Sequence, residues 1–132
     1  MSKPVSSLLI ILLGAVIMAA LIFLQGKPIP EPGEYKYSLM LRTNFTWIAL
    51  LVQVISGFIL GYRHNLNPFL VGVSLISVFP LTAIMESIYY RGSHNWIPVE
   101  FVIYFLYSLP ATSAAFIGKY LAKAKQAKGD TE

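Results

Sequence analysis

The sequence contains no cysteine. That excludes disulfides, thiolate metal ligands, a lipoprotein cysteine and palmitoylation. Charge is scarce as well, at 12% of 132 residues, against about 25% in ordinary globular proteins. A chain this short has a high surface-to-volume ratio, and ten basic plus six acidic side chains cannot cover it. A soluble globular domain, a disordered chain and a free nucleic-acid binder are thereby excluded. Catalytic signatures are missing too. There is no P-loop, GxGxxG or GxSxG, and no HxxxH, HExxH or Glu-x-x-His. No metal and no cofactor are expected, and no motif argues for an enzyme.

What the chain has is long apolar runs, with 56% hydrophobic residues. Four segments stand out, at about residues 5–24, 45–62, 69–90 and 99–118. A helix rising 1.5 Å per residue needs about 20 residues to cross a ~30 Å hydrocarbon layer. Backbone in lipid must satisfy its own hydrogen bonds, and no alternating strand pattern suggests a barrel. The expected fold is therefore all-α, an integral membrane four-helix bundle forming one domain over residues 1–132. The first run, Leu8–Leu24, is 17 residues without a charge. That is longer than the ~7–15 residues of a signal-peptide core, and no small-x-small cleavage site follows, so it is read as a retained span.

Local signals mark the boundaries. Asn44 or Thr43 caps the second span, and Asn67-Pro68 opens the third as cap and first helical residue. Pro98 opens the fourth. Pro80 and Pro110 fall just past the middle of their spans, so the third and fourth helices should bend there. Thr82 and Thr112 follow each proline and offer hydroxyls to the local backbone. The connection 25–44 carries Pro28, Pro30 and Pro32 and is read as polyproline-like, then interfacial. The tail after Lys119 is read as a helix end that frays into solvent.

Four spans leave both termini on one side. Lys3, Arg63, Lys119, Lys123, Lys125 and Lys128 would lie there, and Lys27, Lys36, Arg42 and Arg91 opposite. The positive-inside rule then makes both termini and the tail cytoplasmic. The tail lysines suit anionic lipid headgroups, so the expected partner is the bilayer and not nucleic acid.

Within the spans, Gly57 and Gly61 form a GxxxG that lets helix backbones approach closely. Packing inside the bundle is the first reading, and a homo-oligomer or a membrane partner protein through that face is the second. Gln53, near mid-span, is expected to bond a neighbouring helix.

Glu86 and Glu100 are the only charged residues inside the four spans. They lie near the same, extracytoplasmic end of consecutive helices. Tyr90 continues the Glu86 face and Tyr104 the Glu100 face, with Arg91, His94 and Asn95 in the loop above. A polar pocket between the third and fourth spans is expected. In the structural reading Glu100 caps its own helix, and Glu86 pairs with Arg91 or a tyrosine. In the functional reading these groups bind a proton, metal or small ligand, because intramembrane ionisable residues are functional candidates. The absence of a charge at mid-span favours a non-enzymatic accessory or interaction component. The alternative is a transporter, ligand-binding protein or membrane enzyme using Glu86, His94 and Glu100 on a small molecule or lipid.

Overall fold

The computed structural model describes residues 3–64, 66–92, 94 and 96–129. Among these residues there are six helices and no strand. They are α1 (Lys3–Gln25), α2 (Lys36–Asn44), α3 (Trp47–Arg63), α4 (Pro68–Ile76), α5 (Val78–Tyr89) and α6 (Ile97–Gly129). Val5–Gln25 and Ile97–Ala127 are each long and apolar enough to cross a membrane. Two bent pairs, α2 with α3 at 79° and α4 with α5 at 44°, pass the same test if each pair is one span.

The α4–α5 break has a local cause. Pro80 has no amide hydrogen to give the Ile76 carbonyl one turn earlier, and the helix parts at Ser77. Hydroxyls pair with backbone around the break. Ser77 donates to the Val73 carbonyl at 2.8 Å and Thr82 to the Val78 carbonyl at 2.7 Å. Asn67 caps α4 as its sequence suggests, its side chain accepting from the Phe69 amide with Pro68 in the first turn. Pro110 behaves differently, because α6 runs through it unbroken. Thr112 does not repair the backbone there, and its hydroxyl has no hydrogen-bond partner.

The proline stretch is non-helical, and residues 36–44 after it, read as interfacial, form a helix. The prolines stop at Pro32, and Lys, Leu, Met and Arg beyond it are good helix formers. Ser38, Leu41 and Asn44 form the buried face of α2. The Gln25 amide donates to the Asn44 carbonyl at 3.0 Å, and the Lys27 ammonium donates to the Thr43 carbonyl. Both serve carbonyls that a helix C-terminus leaves open. Residues 119–129 continue α6 as its C-terminal end. At the start of α3, Thr46 is the cap residue, without a side-chain bond, in place of Thr43 or Asn44.

Small residues set the helix pairing. A side-chain carbon at Gly57 would strike the Ala111 carbonyl, and one at Gly61 the Ala115 backbone. The numbers rise together, so α3 and α6 run parallel at close approach, as glycine-mediated helix contacts allow. Gly72 abuts Ser108 and Thr112 while Phe79 meets Tyr104, so the α4–α5 pair runs antiparallel to α6. One apolar cluster joins Met18, Leu21, Leu41, Ile76, Phe79 and Tyr104, with Phe45 and Tyr107 packed on it. A second joins Ile10, Val71, Leu75, Ala111 and Ala115.

The outside is apolar along its length. Leu8, Leu12 and Val16 on α1, Ile55 and Ile59 on α3, and Val102 and Leu106 on α6 are all exposed, while Ser74, Glu86, His94 and Ser108 are buried. That inverts the pattern of a water-soluble domain and suits a lipid surround. Gln53 is 1% exposed, but neither atom of its amide has a hydrogen-bond partner. The interhelical bond expected of it is not made.

Candidate functional site

At one end of the helices a loop, two helix ends and α2 converge on His94. The residue is held at φ 53, the left-handed region that costs a non-glycine residue about 1–3 kcal/mol. Its backbone is tied on both sides. The His94 amide donates to the Tyr35 hydroxyl at 3.0 Å, and its carbonyl accepts from the Ile97 amide at 3.1 Å. The Tyr35 ring meets the imidazole edge-on, with centroids 4.7 Å apart. These contacts drive the ring inward, and its side chain is 0% exposed.

Each ring nitrogen faces a carboxylate. Nε2 lies 2.9 Å from Glu86 Oε2, and Nδ1 lies 2.7 Å from Glu100 Oε2. Glu86 also reaches α2, where it accepts from the Tyr37 amide at 2.6 Å, the Ser38 amide at 3.2 Å and the Ser38 hydroxyl. The first amides of a helix have no partner within it and carry the positive end of its dipole. Tyr35, the cap residue, makes no side-chain cap bond. Glu86 therefore caps α2 from another helix.

Glu100 does not cap its own helix. Its carboxylate accepts from Arg42 of α2 at 3.2 Å as well as facing His94. Arg42 donates to the Tyr104 hydroxyl at 2.9 Å, its guanidinium standing over that ring at 5.7 Å. A charged partner outweighs the orphan amides of α6 for this carboxylate. Beneath the cluster, Phe79, Tyr104, Tyr107 and Phe45 pack ring against ring at 4.5 to 5.8 Å and floor it with apolar surface.

The structure thus brings together Glu86, His94, Glu100 and Tyr104. It leaves out Tyr90 and Arg91, which are exposed beyond α5. The arginine of the cluster is Arg42, and the pairing of Glu86 with Arg91 is replaced by Glu86 with His94 and α2. Asn95 lies outside the described residues. Sequence reasoning misses Arg42, Ser38 and Tyr35 because it reads the residues after the prolines as interfacial and not as a helix packed on the site. Their spacing of three and four was the available signal, since it places them on one helix face. Among the described residues, no group of three or more His, Cys, Asp or Glu side chains is placed to hold a metal ion.

Between α4–α5 and α6, where the sequence predicts a polar pocket, lies a small cavity of about 210 Å³, lined mainly by apolar side chains such as Val73, Ile76, Phe101 and Phe105 with Tyr104 and Ser108, while the charged groups bond one another. A separate groove of about 620 Å³ lies on the other side of Glu86. Ile11 and Ala15 of α1, Met40 of α2, and Leu81 and Met85 of α5 line it, with Tyr37 and Glu86 also on its wall. Its volume falls within the ~300–1,000 Å³ of small-molecule sites. Comparison with protein-family models, curated proteins and solved structures finds no match to this chain.

Proposed function

We propose that this chain is a non-enzymatic integral membrane protein, a four-helix bundle with both termini cytoplasmic, acting as an accessory or interaction component. α2–α3 and α4–α5 each count as one bent span in this reading. The cluster around His94 then lies at the extracytoplasmic end and clasps α2 to the spans. The observation that carries the reading is the closure of the cluster. The imidazole is fully buried and both its nitrogens face the chain's own carboxylates. Neither imidazole nitrogen is left facing a substrate, as general acid–base chemistry by this ring would require.

A second reading, a membrane-embedded binding protein for an apolar or amphiphilic molecule, is favoured by the groove between α1, α2 and α5.

The lack of cysteine makes the topology simple to test. Single-cysteine variants Glu34→Cys, Arg91→Cys and Lys125→Cys replace exposed residues. In intact cells a membrane-impermeant maleimide should label the first two, and Lys125→Cys only after permeabilisation. Labelling of Arg91→Cys and Lys125→Cys from the same side overturns the topology. Purified protein in liposomes should dissipate neither a proton nor a solute gradient, and movement of either overturns the accessory role.

A further inference from the structure

We infer that the end of the bundle away from His94 binds one anionic phospholipid, its phosphate held by Arg63, Lys119 and Lys123 and one acyl chain lying in a groove between α1 and the end of α3.

The basic half of the site follows from helix register. Lys119, Ala122, Lys123 and Gln126 fall on one face of α6, at spacings of three and four. Arg63 closes the last turn of α3, and His64 follows it. The close approach of Gly61 to Ala115 brings the two helices together at this end. These residues line a pocket of about 160 Å³. Among the described residues the carboxylates are those of Glu31, Glu34, Glu86 and Glu100, and the salt bridges are all in the His94 cluster. Asp130 and Glu132 lie outside the described residues. Glu100 and Lys119 stand about 28 Å apart along α6 at 1.5 Å per residue, well beyond a Debye length of about 8 Å. The α3 C-terminus contributes about half a negative charge. Three cations against it leave an excess that an anion balances.

The apolar half adjoins it. Leu9, Ile10 and Leu13 of α1, with Leu60 and Leu66, line a groove of about 450 Å³. His64 lines both cavities. Lys119 ties them together, its ammonium donating to the Leu66 carbonyl at 3.0 Å. That bond uses one of its three N–H groups and leaves two for phosphate oxygens. A soluble phosphate has no use for the groove, and a neutral lipid has none for three cations. A phosphate joined to an acyl chain uses both, and basic pockets between membrane helices favour such headgroups.

The inference rests on the membrane reading and holds for either role proposed above. Ala124 is exposed beside the pocket and does not line it, so a fluorophore on Ala124→Cys reports nearby lipid in this cysteine-free chain. Quenching by chain-nitroxide phosphatidylglycerol is compared with quenching by chain-nitroxide phosphatidylcholine. Both are titrated into phosphatidylcholine bilayers at about 1 M salt, where screening shortens to about 3 Å. Phosphatidylglycerol should reach half-quenching at a mole fraction more than about tenfold lower, from about fivefold per basic contact. Arg63→Gln combined with Lys119→Gln should abolish that preference. Leu13→Trp, which fills the groove from a partly exposed position, should reduce it at unchanged charge. Lys125→Gln, exposed and outside the pocket, should leave it within about twofold under this screening. Equal half-quenching by the two lipids in wild type, or a preference lost as much in Lys125→Gln as in the pocket variant, overturns the inference. So does competition by glycerol phosphate in solution with no effect of Leu13→Trp, because the site then takes free phosphate. Protein that fails to float with pure phosphatidylcholine vesicles overturns the membrane reading together with this inference.

Discussion

Glu86→Leu is expected to destabilise the protein by about 3–5 kcal/mol, the range for removing one partner of a buried ionic contact. At least four groups lose their partner at once. The Tyr37 and Ser38 amides at the start of α2 become uncapped, the Ser38 hydroxyl loses its acceptor, and His94 Nε2 is left buried. Leucine fills comparable space, so the loss is one of hydrogen bonds and charge more than of packing. Unfolding in mixed micelles by titration with a denaturing detergent measures it. Arg91→Leu is the control, because Arg91 is exposed and outside the cluster. That substitution should stay within about 0.5 kcal/mol of wild type. A Glu86→Leu protein as stable as the Arg91→Leu control would show that Glu86 does not hold α2.

Gln53→Met should have the opposite sign and stabilise the protein by about 1–3 kcal/mol, the cost of burying an amide without partners. Methionine has nearly the same length and adapts to an irregular space. Gln53 is 1% exposed and both its amide atoms go unpaired, so the substitution removes a penalty without removing a bond. The same detergent titration checks it. A destabilised Gln53→Met would mean that the amide bonds another group in the membrane.

The contrast between these two residues explains what the sequence made legible. Apolar run length and its interruptions located the helical segments, because the bilayer sets a length that composition cannot disguise. Asn67-Pro68 marked the start of α4 and Pro80 the α4–α5 break, since both act within one turn of chain. Glu86, His94, Glu100 and Tyr104 stood out because consecutive antiparallel helices joined by a short loop must bring them near one another. Arg42, Ser38 and Tyr35 did not stand out. Their contact with that cluster comes from the 79° bend between α2 and α3, which no local pattern encodes. Gln53 is legible as a buried polar group, but whether it finds a partner depends on tertiary packing, which its own helix does not encode. Tyr90 follows Glu86 on one helix face and lines the same groove, outside the His94 cluster, while Arg91 lies exposed just beyond it.

Hydrogen exchange at the Tyr37 and Ser38 amides tests the clasp most directly. These residues sit in the first turn of α2, where backbone amides have no intrahelical acceptor and ordinarily exchange fast. If Glu86 receives both, they should exchange slowly in wild type. They should then lose that protection in Glu86→Leu while the interior of α6 keeps its own. Exchange at Tyr37 and Ser38 as fast as in the exposed segment 31–34, with Glu86 intact, would contradict the account.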